Sequence, residues 1–138
     1  MIGYVTVGAD DLGAAERFWS AILLPLGYGL TTGPGGLSYV LSAEPGQAVV
    51  PPDLYVKPTF DGRPATGGNG SMVAFDAGTQ RRVRDLHAAG LAAGGSDDGP
   101  PGFRDAYGPH FHVGYLRDPQ GNKVALFSDD PTEPGRDD

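Results

Sequence analysis

The 138-residue sequence contains no cysteine. Disulfide bonds, zinc–thiolate centres and a cysteine nucleophile are therefore excluded. It also has no apolar run long enough to cross a bilayer, and its first residues, 2–5, have a strand-like pattern, so no signal peptide is expected. We therefore expect a cytoplasmic protein with no membrane partner.

Basic residues are scarce as well. Ten Lys and Arg stand against 17 Asp and Glu, which gives a net charge of −7. Nucleic-acid partners are not expected, because binding to phosphates requires a basic face. The 23 Gly and 13 Pro fall between periodic apolar runs, so they predict many tight turns rather than disorder.

What the sequence does contain is an internal repeat. With an offset of 68 positions, segment 4–9 aligns with segment 72–77, and Gly27 aligns with Gly95. A strand–helix–strand unit that occurs twice predicts two modules that close on each other around a cavity.

The repeat divides the chain into four parts. The first module covers about 1–59, a turn-rich connector covers 60–70, and the second module covers about 71–128. Residues 1–128 form a single domain of ordinary size. The last segment, 129–138, is predicted to be a solvated acidic tail.

Local patterns predict the elements of each module. Asp11 is expected to cap a first helix that ends near Pro25, and Thr79 to cap a second helix that stops at Gly94. Residues 97–109 are expected to form a loop. The predicted strands lie near 2–8, 37–43, 47–50, 53–57, 72–76, 110–117 and 123–128.

Several segments together suggest a known family. They are Ile2–Val7 leading into Asp11-Leu12 and Phe18-Trp19, then 60–66, Asn69-Gly70 and Arg117–Lys123. With these segments the chain resembles the glyoxalase/bleomycin-resistance/dioxygenase superfamily, also called vicinal oxygen chelate proteins. The resemblance implies an α+β fold of two βαβββ modules, curled into one open barrel with helices outside. It also implies a homodimer.

The resemblance has a consequence for metal binding. Metalloenzymes of this superfamily use a His in the first strand, a His at the start of the second module's first strand and a Glu in the last strand. The positions that match are Tyr4, Met72 and Ala125. A catalytic divalent site needs about three oxygen or nitrogen donors. The resemblance therefore implies a vacated site, with no metal and no cofactor.

Strand alternation nominates the residues that line the cavity. If the three matching positions point inward, the apolar residues between them point to the helices. The cavity candidates are Tyr4, Thr6, Tyr39, Tyr55, Lys57, Met72, Ala74, Phe111, Tyr115, Ala125 and Phe127. The loop candidates at its mouth are Arg104, Tyr107 and His110.

Two classes of function remain open. The first is a metal-free protein that binds a small, aromatic molecule against Tyr4 and Tyr115. The second is an enzyme of the same superfamily, a lyase, isomerase or dioxygenase. Such an enzyme would use Tyr4, Tyr115 or His110 as acid or base, or relocated metal ligands at His110, His112 and Asp105. A shifted titratable group beside the pocket would favour the enzyme.

Overall fold

The computed structural model describes residues 1–138 and contains ten helices and strands in two similar sets. The first module consists of β1 (Tyr4–Gly8), α1 (Leu12–Leu23), β2 (Gly29–Gly33), β3 (Gly36–Val40) and β4 (Asp53–Lys57). The second consists of β5 (Val73–Asp76), α2 (Gln80–Ala92), β6 (Ser96–Phe103), β7 (Phe111–Arg117) and β8 (Lys123–Asp129).

Each module forms one four-stranded sheet. The strand orders are β1-β4-β3-β2 and β5-β8-β7-β6, so the second sheet repeats the topology of the first. In both sheets the first strand pairs in parallel with the last one, and the remaining pairs are antiparallel. This is the predicted α+β arrangement of two βαβββ modules, and neither sheet closes into a barrel.

The two helices begin where their capping residues predict. The Asp11 carboxylate accepts a hydrogen bond from the Ala14 amide at 3.0 Å. The Thr79 hydroxyl accepts one from the Arg82 amide at 3.1 Å. Both caps satisfy amides that have no partner inside the helix, so each fixes the residue at which its helix starts.

One continuous core of 17 buried residues joins the modules. Trp19 of α1 packs edge-on against Phe75 of β5, with their ring centroids 6.2 Å apart. Gly90 lets α2 approach β7 and α1 closely, because a Cβ there would lie 2.6 Å from Leu116 Cδ1 and 3.3 Å from Phe18 Cε2. The predicted helix-facing residues all belong to this core or pack against it: Val5, Val7, Val73, Phe75, Val124 and Leu126.

Two strand predictions are wrong. The second strand of the first sheet is Gly29–Gly33 rather than 47–50, and 47–50 is exposed and irregular. Residues 96–103 form a strand although 97–109 were expected to be loop. Both missed strands lie at a sheet edge. Edge strands tolerate Gly and Pro and need no apolar alternation, so their sequences carry little strand signal.

The C-terminal segment is not a solvated tail. Gly135 is buried, and the Arg136 amide donates a hydrogen bond to the Pro109 carbonyl at 2.7 Å. The acidic composition of 129–138 favoured solvent, but backbone hydrogen bonds and a glycine contact hold this segment against the second module. None of the helices is both long and apolar enough to cross a membrane.

The carboxylate of Asp118 connects the modules. Asp118 is 3 % exposed, and its Oδ2 accepts hydrogen bonds from Trp19 Nε1 at 3.0 Å and from Asn122 Nδ2 at 2.9 Å. Its Oδ1 accepts from the amides of Gln120 at 3.0 Å and Asn122 at 2.8 Å. Four donors therefore compensate one buried carboxylate, as burial of a charge requires.

We predict that Asp118→Ala lowers the free energy of unfolding by about 2–4 kcal/mol, because it leaves several buried donors without an acceptor. Urea unfolding followed by the fluorescence of the single Trp measures this change. Asp137→Ala is the control, since the Asp137 side chain is 75 % exposed. A loss in Asp118→Ala no larger than in the control would contradict the prediction.

Candidate ligand-binding pocket

A largely apolar pocket lies on the second sheet, on the face that is turned away from the helices. We call this the open face. The pocket has a volume of about 340 Å³, and eight of its ten lining residues are hydrophobic. The lining residues are Met72, Ala74, Tyr107, Gly108, Phe111, Val113, Tyr115, Ala125, Phe127 and Asp129.

Register explains why this face is concave. Ala125 of β8 stands between Ala74 of β5 and Tyr115 of β7, so two adjacent positions carry only a methyl group. Larger side chains surround these alanines, and Val113 pairs with Phe127 one step further along. Small residues on two adjacent strands, with larger side chains around them, leave a hollow in which a flat molecule could lie.

An aromatic cluster forms one side of the pocket. The rings of Phe111 and Phe127 stack with centroids 5.3 Å apart and an interplanar angle of 18°. The Tyr107 ring meets Phe111 edge-on at 5.4 Å. Offset-stacked and edge-on pairs are favourable arrangements for aromatic rings, and a bound ring could extend the series.

Tyr115 is the pocket residue whose pKa is shifted from its ordinary value. Arg104 Cζ lies 5.6 Å and Lys123 Nζ 4.9 Å from the centroid of its ring. Burial raises the pKa of the Tyr115 hydroxyl and the nearby Tyr107 hydroxyl raises it further, whereas Arg104 lowers it. At neutral pH the hydroxyl is therefore protonated, and it can donate a hydrogen bond or accept one.

Seven sequence-predicted site residues line this pocket, and they are Met72, Ala74, Tyr107, Phe111, Tyr115, Ala125 and Phe127. Val113, Gly108 and Asp129 complete it. Asp129 had been assigned to the tail, although it continues the alternation of Ala125 and Phe127 along β8. That alternation was the signal that could have identified it.

Four other candidates lie on the open face of the first sheet. Tyr4 and Tyr55 are in contact, with centroids 5.3 Å apart, and the Tyr55 hydroxyl donates to Asp53 at 2.9 Å. Lys57 Nζ lies 5.1 Å from the centroid of the Tyr55 ring. Thr6 lines a separate cavity of about 360 Å³. No first-module residue lines the aromatic pocket. A separate pocket of about 280 Å³ lies between the modules, and it is lined by Val5, Tyr28 and Leu54 of the first module and by Val73, Ala74 and Phe75 of the second.

Tyr39 does not lie on an open face. It is fully buried in the core, and its hydroxyl shares a hydrogen bond of 2.9 Å with Ser20 of α1. In β3 the side chains of Leu37 and Tyr39 face the helices. The strand is too short for its sequence pattern to show which of its faces is covered. The pKa of the Tyr39 hydroxyl is raised, mainly by burial. The hydrogen bond with Ser20 opposes this shift, and the nearby Glu16 carboxylate adds to it.

Of the three loop candidates, only Tyr107 lines the pocket, and Arg104 and His110 do not. Arg104 donates instead to the Pro100 carbonyl at 2.7 Å and to the Phe103 carbonyl at 3.2 Å. His110 packs beside Gly135 of the C-terminal segment.

The residues present do not fit a metal site. No three His, Asp or Glu side chains gather where they could share an ion, so His110, His112 and Asp105 form no relocated site. His112 is buried, and its ring meets Phe103 edge-on at 5.3 Å. Of the superfamily's three ligand positions, Met72 and Ala125 lie at the pocket and Tyr4 does not.

His87 is one of the buried residues of α2. It is only 5 % exposed, and its Nε2 lies 3.1 Å from Asp97 Oδ1 and 3.1 Å from the Tyr115 carbonyl oxygen. These contacts join α2 to β6 and β7 behind the pocket.

Comparison with known proteins identifies the family. No protein-family model matches the chain. No curated protein sequence matches it either. A solved structure of a glyoxalase/bleomycin resistance protein from Albidiferax ferrireducens is 35 % identical, with a TM-score of 0.77, over 93 % of this chain and 98 % of that one. The chain therefore belongs to the glyoxalase/bleomycin resistance protein family.

Two more distant structures share the fold. A glyoxalase/bleomycin resistance protein/dioxygenase family enzyme from Burkholderia phytofirmans is 19 % identical, with a TM-score of 0.66, over 92 % of this chain and 97 % of that one. A genomically encoded fosfomycin resistance protein, FosX, from Listeria monocytogenes is 12 % identical. Its TM-score is 0.66, over 95 % of this chain and 94 % of that one.

We predict that Tyr115 ionises above the ordinary tyrosine value of about 10, because burial disfavours its anion. The unfolded chain then releases this proton first. The stability that Tyr115 contributes is present below about pH 10 and is lost as the pH rises through the folded pKa. The difference in tyrosinate absorbance between wild type and Tyr115→Phe gives the titration. A midpoint at or below about 10 would contradict the prediction.

Proposed function

We propose that this protein binds a small aromatic molecule, without a metal ion, in the pocket on the open face of its second sheet. The observation that carries the proposal is the composition of the pocket, in which stacked aromatic rings surround a floor that includes two alanines. Its volume of about 340 Å³ lies within the range of roughly 300–1,000 Å³ that is usual for small-molecule sites.

The few polar groups at the pocket support the choice of ligand. The hydroxyls of Tyr107 and Tyr115 can donate or accept a hydrogen bond, and the Asp129 carboxylate can accept one. A planar aromatic molecule with one hydroxyl would satisfy these groups at its edge and bury its ring against Phe111 and Phe127. Membership of a family that includes resistance proteins also supports sequestration as the role.

The donor chemistry supports binding without a metal. At the superfamily's ligand positions Ala125 offers no donor and Met72 only a thioether, which is a poor ligand for the hard divalent ions that prefer oxygen. An enzyme with Tyr115 as a proton donor is the second candidate, since Tyr115 is the titratable pocket group with a shifted pKa. That shift moves away from neutral pH, which makes proton transfer harder and favours the binding role.

We also propose that the protein is a homodimer in which the partner's first sheet covers the pocket. The first sheet presents Tyr4, 64 % exposed, on its open face, and Phe60 in the adjoining connector is 97 % exposed. Two such faces related by a two-fold axis would cover both pockets at once. This would restore the expected cavity between a first and a second module, now from different chains.

We expect 2-naphthol to bind the pocket and Ala74→Trp to weaken its binding by about tenfold or more, because the indole would occupy the hollow. Ala74 is exposed on the open face, so the larger side chain is compatible with folding. Nitrogen–proton correlation spectra titrated with 2-naphthol give the affinity and locate the site. Ala88→Trp on the exposed face of α2 is the matched control.

Two outcomes of this titration would contradict the binding proposal. One is an absence of shifts at the amides of Tyr115, Ala125 and Phe127. The other is equal weakening by Ala74→Trp and Ala88→Trp. Conversion of 2-naphthol to a product that Tyr115→Phe fails to form would favour the enzyme instead.

The dimer predicts that Tyr4→Asp shifts the protein toward monomer, because a carboxylate would be buried in the interface. Sedimentation equilibrium measures the monomer–dimer equilibrium, with an expected weakening of about tenfold or more. Leu91→Asp, at a 40 % exposed position on α2, is the control. A wild-type protein that sediments as a monomer would disprove the dimer and leave the pocket proposal to the naphthol titration.

A further inference from the structure

The last residues of the chain contact the loop that forms one wall of the pocket. We call residues 130–138 the C-terminal strap. The Arg136 guanidinium donates from Nη1 to the Arg104 carbonyl at 2.9 Å and to the Tyr107 carbonyl at 2.9 Å. The Arg136 amide donates to the Pro109 carbonyl at 2.7 Å. One arginine therefore contacts both ends of the loop 104–109.

The strap is itself fixed to α2. Gln80 Nε2 donates to the Pro134 carbonyl at 2.6 Å, and the Gln80 amide donates to the Glu133 carboxylate at 2.9 Å. Gly135 is buried so closely that a Cβ there would lie 2.9 Å from His110 Cε1 and 3.0 Å from the Pro109 carbonyl oxygen. The strap thus connects a rigid helix to the loop.

Apart from the Tyr107 side chain, which packs edge-on against Phe111, the loop has few other contacts. Residues 105–109 are all exposed, and the local backbone hydrogen bonds are Tyr107 N–H to the Arg104 carbonyl at 3.0 Å and Phe111 N–H to the Gly108 carbonyl at 3.1 Å. Tyr107 and Gly108 from this loop nevertheless form part of the pocket wall. Exposed loops with few buried contacts open easily, so the position of this wall depends on what ties the loop down.

We infer that Arg136 is a positioning residue for the pocket, which holds the Tyr107–Gly108 wall in place for an aromatic ligand. The choice of an aromatic ligand rests on the proposed function. The positioning role of Arg136 rests on its hydrogen bonds in the free protein. Loss of Arg136 leaves the sheet intact but lets the wall move, so a bound ring would lose its contact with Tyr107. An ordered wall lowers the conformational cost of binding.

The test compares Arg136→Met with Arg81→Met in the full-length chain. Met keeps much of the side chain's length and removes the donors, and the Arg81 side chain is 84 % exposed on α2. Amide hydrogen exchange is measured on the free proteins at Tyr107 and Phe111 in the loop region and at Val124 and Leu126 in the core strand. The affinity for 2-naphthol is then measured for each variant.

We expect Arg136→Met to speed exchange at the Tyr107 and Phe111 amides by at least about fivefold while Val124 and Leu126 stay unchanged. It should also weaken 2-naphthol binding by about threefold or more. Arg81→Met should change neither. Arg136→Lys, which keeps a charged donor, should recover part of both effects. Gly135→Ala, which pushes a methyl group against His110, should act in the same direction by a separate route.

The outcomes distinguish this inference from the proposed function. Equal exchange at Tyr107 in Arg136→Met and Arg81→Met would overturn it, and so would faster exchange throughout the core strand. A mobile loop with unchanged 2-naphthol affinity would overturn the role in the pocket. If wild type does not bind 2-naphthol, the proposed function fails, and the exchange rates alone decide whether Arg136 holds the wall.

Discussion

The buried carboxylate of Asp118 is the constraint on which the rest of this structure depends. A charge at that depth is tolerated only when donors surround it, and here the donors come from both modules. Trp19 donates from α1, while Gln120 and Asn122 donate from the turn that joins β7 to β8. Asn122 Nδ2 also donates to the Gly8 carbonyl of β1 at 3.0 Å. The turn that sets the register of the pocket strands is thus the point at which the second module is tied to the first.

The duplicated architecture explains why the aromatic pocket lies on one sheet and not on the other. Each sheet has a face covered by helices and an open face, and equivalent positions on the open faces have diverged. Thr6 and Tyr4 of the first module correspond to Ala74 and Met72 of the second. The second sheet therefore has a hollow floor, whereas the first presents two tyrosines in contact, the exposed Tyr4 and the half-buried Tyr55. The same difference between the two open faces supports the proposed dimer, in which the first sheet of one chain would cover the pocket of the other.

Sequence reasoning succeeded where the physical signal was local or periodic. Helix caps at Asp11 and Thr79, the apolar alternation of β1, β5 and β8 and the repeat at an offset of 68 positions predicted two similar modules. The family resemblance added the βαβββ order and the inward direction of the strand positions that nominated the pocket lining. It failed at edge strands, at the parity of β3 and at the C-terminal strap. Edge strands need no apolar face, so their sequences show little alternation. The face on which Tyr39 lies depends on the register with which β3 pairs with β4. The strap is held by hydrogen bonds to backbone carbonyls, which amino-acid composition does not reveal.

The sequence by itself determined that this chain builds two similar modules, that cysteine chemistry is absent and that the superfamily's metal-ligand positions hold Tyr4, Met72 and Ala125. These properties follow from residue identity and from short-range periodicity. Only the tertiary structure decided that the pocket belongs to the second sheet alone, that Tyr39 is core and that Arg136 reaches Tyr107 across 29 residues of chain. Those facts depend on which distant backbone groups and side chains meet, and the pairing of sheets and the closure of loops settle that only in the folded chain.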